Sequence, residues 1–329
     1  MKSKNFWNNL LRRKTPKPLY FAQAFLRYIT PKRWTQCRLA ALLSEAEARP
    51  DWEYIRDRVD YYCKLEPLAA TPEGLTPLGD LRPGTLQSAY FIDAYEHTRY
   101  FDDRLLWRID QGDVTEVPPV PAILKSRPIA GDVRNSVVLK LNKYRHFLFL
   151  KDGIPFREKC NRAIFRSNIN YHHPNYVKRE AFVKRWFGSE ICDVGVINNH
   201  PRIQPEWLVE RITEYDHLDY KFIICLEGND VATNLKWVMS SNSLAVMPRP
   251  TYETWFMEGR LLPNVHYVEI KEDFSDLEER LQYYIDHPDE AEAILRNAHA
   301  WVDQFRDRRR EKLISLLVLD KYFRNTKQR

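Results

Sequence analysis

Two places in this chain carry residue types that can bind an anion. The first is a turn after the apolar run Phe222–Ile223–Ile224–Cys225–Leu226. That run stops at Glu227–Gly228–Asn229–Asp230 and a phrase with helical spacing follows (Ala232, Leu235, Trp237, Val238, Met239). A second run, Leu244–Met247, is closed by Pro248. In a strand–turn–helix the turn amides and the first helical N–H groups are unpaired, and the helix dipole favours negative charge there. Thr233 adds a hydroxyl and Lys236 a cation one turn in. The second place is Asn161–Asn168, where an apolar run ends in Phe165–Arg166–Ser167–Asn168 and a helical phrase then brings Lys178 and Arg179. Arginine holds phosphate through two parallel donors, which lysine cannot copy. A Gly-Asn-Asp turn is also an ordinary strand ending, and both arginines can equally pair with carboxylates. Two strand ends of this composition in one sheet point to a nucleoside diphosphate.

These ends need a scaffold that aligns them. From about residue 157 the runs "NRAIFRS", "EICDVGVI", "YKFIICLEG", "SLAVMP" and "HYVEI" alternate with helical phrases at Pro205–Tyr215, Thr233–Ser240 and Asp276–His287. Such alternation predicts a parallel sheet with helices on its faces, where ligands bind beyond the carboxyl ends of the strands. Residues 1–65 read as helical, with Pro50 as a break and Asp51 as a cap. Residues 66–85, rich in Pro, Gly and Thr, read as a loop. Residues 86–150 mix a helix-like "LQSAYFIDAYEHTRYF" with a strand-like "VVLKLNKYRHFLFLKDG". Ser275 and Asp276 read as a helix cap, and Trp207, Trp237 and Trp255 as core.

The 329 residues suffice for two domains, and 44% apolar with 13% aromatic residues excludes a disordered chain. No apolar run reaches the roughly 20 residues that span a bilayer, and the start lacks a signal-peptide pattern. The expectation is a cytoplasmic protein, soluble or peripheral to the inner membrane. Five cysteines without a C-x-x-C pair read as reduced core thiols. Adjacent His172 and His173 point opposite ways on an extended chain, which disfavours one shared metal. The net charge of +6 is uneven: the first 44 residues hold ten Lys or Arg and no acid, and the chain from Arg306 is again basic. With Phe6, Trp7, Tyr20, Phe21, Phe25 and Leu26 among these cations, an anionic membrane surface suits the ends at least as well as nucleic acid; a solvated helix face stands beside both.

The phrases "GDVTEVPPVPAILKSRPIAGDVRNSVVLKLNKYRHF", "KCNRAIFRSN", "LEGNDVATNLKWVMSSNSLAVMP" and "YETWFMEGRLLPNVHYVEIKEDFSDLEERLQYY" together resemble glycosyltransferase family 90, in its bacterial branch, over roughly residues 86–300. The resemblance implies an α/β fold of GT-B architecture, two Rossmann-like domains facing across a cleft. It implies inverting, metal-independent transfer of a hexose from a UDP-sugar, UDP-glucose or UDP-galactose, with no other cofactor. The implied acceptor is a saccharide, the lipopolysaccharide inner core first. The domain limits expected are 1–156 (acceptor side), 157–305 (donor side) and a terminal helix at 306–329 returning to the first domain. Donor contacts carried over are Phe165, Arg166, Asn168, Arg179, Gly228, Asn229, Asp230, Thr233 and Asn234. The family's animal enzymes have an Arg where Asn234 stands, which makes Lys236 the substitute cation. The base falls on Asp113 in "QGDVTEVPPVP", with Asp110 and Glu116 as rivals and a plain turn aspartate as the other reading.

Some readings stay open. Lys125, Ser126 and Arg127 either line an acceptor cleft or form a solvated loop. His266 either lies near the nucleotide or packs in the core. No Asp-x-Asp pair occurs in the chain, so leaving-group charge falls to Arg166, Arg179, Lys236 and backbone amides. Two other functions compete: a protein O-glycosyltransferase, and a non-catalytic nucleotide- or nucleic-acid-binding module.

Overall fold

A computed structural model describes residues 17–329. The basic and aromatic positions before Lys17, Phe6 and Trp7 among them, lie outside the described residues. The chain groups into two compact units. A helical unit comprises the described part of Thr15–Arg145 with Tyr252–Met257 and Phe305–Arg329. A sheet unit comprises His146–Thr251 and Glu258–Gln304.

The helical unit begins with α1 (Lys17–Ile29), α2 (Arg33–Gln36), α3 (Leu39–Glu47) and α4 (Trp52–Tyr62). Asp51 stands at the start of α4 but does not cap it; its carboxylate is turned to Arg49 at 2.7 Å and Arg310 at 3.1 Å. After the largely irregular segment 66–85 come β1 (Thr76–Pro77), α5 (Ser88–Thr98), β2 (Leu106–Trp107), β3 (Ala122–Leu124), β4 (Ser126–Pro128), β5 (Ser136–Val138) and α6 (Lys143–His146). The strand-like phrase after Val138 is therefore not a strand. It becomes a turn of helix, because Asp93 inside the unit accepts the Lys143 amide at 2.7 Å and pairs with its ammonium at 3.3 Å. β3 and β5 run parallel, and Ile109 makes a single parallel bridge to Ile123 beside them.

In the sheet unit β6 (Cys160–Ser167) is followed by α7 (Tyr176–Trp186), β7 (Cys192–Val196), β8 (Tyr220–Ile224), α8 (Leu235–Val238) and β9 (Leu244–Met247). β10 (Tyr252–Thr254) belongs to the helical unit and pairs antiparallel with β4. The sheet unit resumes with β11 (Val268–Glu269), α9 (Leu277–Asp286) and α10 (Pro288–Asp303), and α11 (Arg308–Asn325) closes the helical unit. The five strands of the sheet unit form one parallel sheet in the order β11-β9-β8-β6-β7. Each of the five apolar runs of the sequence supplies one of these strands. β8 and β9 are buried almost throughout, as expected for strands covered on both faces.

Several local expectations are corrected. Pro205–Tyr215 is not a helix: a single 3₁₀ turn at Pro205–Trp207 gives way to a segment that bridges β7 in parallel at Leu208, with the Val209 amide donating to the Val196 carbonyl at 3.0 Å. That bridge occupies backbone groups that an edge strand would otherwise leave unpaired. Asp276 does not cap α9; its carboxylate accepts the Lys271 amide at 2.9 Å. An uncalled cap sits instead at Asp307, which accepts the amides of Arg309 and Arg310 at 2.9 and 3.0 Å. All five cysteines are free; Cys63, Cys192 and Cys225 are core thiols but Cys37 and Cys160 are exposed. Trp207, Trp237 and Trp255 are buried. Among the described residues no helix is long and apolar enough to cross a membrane.

Candidate active site

The carboxyl ends of β6 and β8 are joined by one side chain. Arg179, projecting from α7, donates from Nη1 to the Asn168 carbonyl at 2.9 Å, from Nη2 to the Leu226 carbonyl at 3.0 Å, and from Nε to the Glu227 carbonyl at 3.0 Å. The guanidinium thus fixes both candidate donor loops at once, a task for a planar fork rather than a flexible ammonium. Gly228 makes room for it, since a Cβ there would lie 2.7 Å from Arg179 Nη2. Asparagines complete the junction. Asn175 donates to the Asn229 carbonyl at 2.9 Å and Asn170 to the Asn229 side-chain oxygen at 3.0 Å. Asn234 donates to the Ile224 carbonyl at 3.0 Å, so its side chain ties the turn back to β8. Glu227 accepts the Thr251 amide and hydroxyl, both at 2.7 Å, and Lys178 approaches Glu227 at 3.3 Å and Glu272 at 3.7 Å.

The remaining donor-side candidates differ in what they present. Asn168 is exposed at the end of β6, Thr233 is half-buried, and Asp230 is buried. Phe165 is core, edge-on to Phe182 with ring centres 4.9 Å apart. Arg166 is drawn along the sheet to β7: it bonds the Asp193 carbonyl at 2.8 Å and the Asp193 carboxylate at 2.7 Å. Burial opposes charge on Asp193, but hydrogen bonds from Arg166 and Tyr220 outweigh it and hold the carboxyl below the ordinary carboxylate range. Lys236 is fully buried in α8 and pairs with Glu258. Since α8 is a single turn, its dipole is much smaller than the sequence pattern suggested. His266 is half-buried, accepts the Leu262 amide at 2.9 Å and lies 5.1 Å from the Trp301 ring.

In the helical unit, Asp113 lies in the loop after the parallel bridge at Ile109, and Lys125 directly follows β3. The two form an ion pair at 2.5 Å in which Lys125 is buried and Asp113 about one quarter exposed. Asp110 is turned to Arg108 at 2.8 Å, whereas Glu116 is exposed. The solvated-loop alternative for Lys125, Ser126 and Arg127 is corrected, because all three are buried around β4. Arg127 reaches Glu253 at 2.8 Å and donates to the carbonyls of Tyr61, Tyr62 and Ser136 at 2.6, 3.3 and 3.0 Å.

Two features of the sheet unit escaped the sequence reading. Asn198, just after β7, accepts the Ile169 amide at 2.8 Å and returns a bond to the Ile169 carbonyl at 3.1 Å. Its place after an apolar run, like that of Asn168, was the available signal. Beyond the β6 end, Tyr171 stacks on His200 with ring centres 4.5 Å apart, and the Arg202 guanidinium lies 4.3 Å from the Tyr171 ring centre. No spacing rule brings these three residues together.

Residues 145–310 match glycosyl transferase family 90. The chain is 39% identical over 297 residues, 90% of its own length and 91% of the relative's, to the O-glucosyltransferase LpsA of Dichelobacter nodosus. It is 32% identical over 87 residues, 26% of the chain and 17% of the relative, to protein O-glucosyltransferase 2 of Danio rerio. The chain belongs to glycosyl transferase family 90, and it is a glycosyltransferase.

Proposed function

We propose that this enzyme moves a hexose, glucose or galactose, from its UDP-sugar to a saccharide acceptor, the lipopolysaccharide inner core first, with inversion and without an essential metal. The O-glucosyltransferase name of the relative that matches nine-tenths of the chain supports the sugar. The Arg179–Gly228 junction carries the donor half of the reading: it pre-forms two loops at carboxyl ends of parallel strands, where open α/β sheets bind ligands. The frame is the two-domain GT-B architecture, with the sheet unit holding the nucleotide and the helical unit supplying the base. Asp113 accepts the proton of the acceptor hydroxyl as that oxygen bonds to the anomeric carbon. The anomeric C–O bond to the diphosphate breaks, and UDP leaves with the bonding pair. Turn amides and nearby cations offset the charge on the leaving diphosphate; in this role Arg166 exchanges Asp193 for phosphate. The shorter match to the zebrafish protein favours a protein hydroxyl as a second acceptor class.

Asp113→Asn tests the base. Turnover is expected to fall about 10²–10⁴-fold with UDP affinity, measured by calorimetry, unchanged. Because Asn leaves the buried Lys125 facing a neutral amide, the unfolding midpoint is read in parallel. Near-normal turnover moves the role to Asp110 or Glu116. Titration with UDP, UDP-glucose, UDP-galactose and GDP-mannose ranks the donors, and activity abolished by EDTA and restored by Mn²⁺ removes the metal-independent mechanism.

A further inference from the structure

Helix α1 is docked by polar and aromatic groups, with the Tyr28 ring 6.0 and 5.5 Å from those of Phe91 and Tyr95. Tyr20 donates to the Asp93 carboxylate at 2.9 Å, Arg27 pairs with Glu96 at 3.3 Å, and Arg99 donates to the carbonyls of Arg27 and Thr30. Tyr20, Ala24 and Arg27 lie on one face at helical spacing and are the half-buried positions of the helix. The opposite face carries Phe21, Phe25, Leu26 and Ile29, and Trp34 of the next helix, α2, is exposed as well. Phe25 is 63%, Leu26 60%, Ile29 58% and Trp34 59% exposed. An amphipathic helix of a water-soluble domain normally buries its apolar stripe and exposes its polar one. Here the orientation is reversed, and single exposed apolar residues do not account for a contiguous stripe.

The surroundings of the stripe identify its partner. The helix and the segment after it hold no acid, and the exposed Arg33 and Arg38 follow the stripe in the chain; the carboxylates that the fold brings here, Asp93, Glu96 and Asp103, are engaged by Tyr20, Arg27 and Lys32. A second copy docked face to face by a two-fold axis would bring those arginines together while Asp93, Glu96 and Asp103 are already engaged. An anionic bilayer offers a hydrocarbon layer to the stripe and phosphates to its rim. The basic C-terminal segment does not supply a comparable surface: Arg309 pairs with Glu45, Arg310 with Asp51, Lys321 with Asp60, and Arg324 with Asp320. We infer that the apolar face of α1, with Trp34, inserts into the headgroup–acyl boundary of an anionic lipid leaflet. This inference rests on the reading of the lipopolysaccharide core as the acceptor, and replaces the two basic termini expected from the sequence with one half-inserted helix as the contact.

The test uses the full chain and vesicles of phosphatidylcholine alone or with increasing phosphatidylglycerol, at low and high salt. The parent is expected to co-sediment with anionic vesicles and to be only partly released by salt, because the apolar share of binding is not screened. Phe25→Ser/Leu26→Ser/Ile29→Ser should weaken partitioning at least about tenfold, while Arg33→Gln/Arg38→Gln should weaken it mainly at low salt. Unfolding midpoints and transfer to a soluble acceptor are measured on the same preparations, so that loss of vesicle binding with transfer intact concerns this helix alone. Should the triple-serine chain misfold, the arginine variant still decides, since its salt response must change. The inference is overturned if the parent ignores all vesicles, if the folded triple-serine chain binds like the parent, or if light scattering shows a dimer that this variant dissolves without any vesicle binding.

Discussion

The two units solve the same problem, holding loops at strand ends, by different means. In the sheet unit five parallel strands satisfy the backbone among themselves around an apolar core that includes Phe165, Phe182, Phe222 and Val246. Its charged side chains serve the loops beyond the strands, as Arg179 does, and also form buried pairs such as Lys236 with Glu258 and Lys159 with Asp152. The helical unit has only short ladders, and its buried charges each reach several partners. Glu311 of α11 receives the Trp255 indole N–H at 2.7 Å and Lys140 at 2.7 Å, and lies 2.6 Å from Arg58. Burial opposes charge on Glu311, and the two cations more than compensate, keeping its carboxyl below the ordinary range. Arg127 bonds three backbone carbonyls, those of Tyr61 and Tyr62 at the end of α4 and of Ser136 in β5. A short-stranded unit therefore draws on networks of buried charge for order that a long-stranded one takes also from its ladder. Breaking such a pair is costly, because it strands a charge.

The comparison is broken most directly at Glu311. Glu311→Gln removes the carboxylate that the buried Arg58 and Lys140 face and should cost about 3–5 kcal/mol in chemical denaturation. A loss below about 1 kcal/mol would mean that the network behaves like a surface pair. At the sheet unit the matching perturbation is Gly228→Ala. It pushes against a guanidinium at the end of a flexible chain, but moving that group sacrifices hydrogen bonds worth about 1–3 kcal/mol. UDP affinity should fall about tenfold with a smaller change in the unfolding midpoint; an unchanged affinity would separate the junction from the donor site.

Acid sharpens the contrast. Burial lowers the His97 pKa to about 3, so the folded helical unit refuses a proton that the unfolded chain accepts near 6.5. Stability from this group is present above pH 6.5 and declines as pH falls toward 3, by roughly 1 kcal/mol between pH 7 and 5.5. His97→Leu should flatten that interval in thermal melts, and a slope equal to the parent's would assign the effect elsewhere. Glu96 adds a loss in stronger acid: burial works against its charge, yet Lys143, His97 and Arg27 bring its pKa to about 2. The smallest effect is expected at Arg104, exposed and paired with Asp102 at 2.6 Å. Arg104→Gln should leave the unfolding midpoint unmoved, and a clear shift there would undercut the distinction between buried and exposed pairs.

The five strands of the sheet were legible because strands buried on both faces are runs of apolar residues, a signal that does not depend on neighbours. Pro205–Tyr215 was misread because Trp207, Leu208 and Ile212 have helical spacing, while the sheet edge at Val196 offered its carbonyl to Val209. Asp51 and Asp276 have the composition of caps, but Arg49 and Lys271 claimed their carboxylates. The strand ends carrying Arg166, Arg179 and the turn at Gly228 could be marked from residue type and position. Nothing in the order of residues told that Arg179 would bond three carbonyls, or that Lys236 would be buried against Glu258.

By itself the sequence determined the parallel sheet, the family, and which side chains stand at the ends of the strands, since these follow from local pattern and residue type. Only the tertiary structure decided what each charge faces. Asp113 meets Lys125 across 12 positions, Arg127 meets Glu253 across 126, and Tyr20 meets Asp93 across 73. The pairing of charges and the turning of the apolar face of α1 outward depend on which distant segments the fold brings within a few ångströms. Electrostatic energy is set by that separation and by burial, and neither is written in the spacing along the chain.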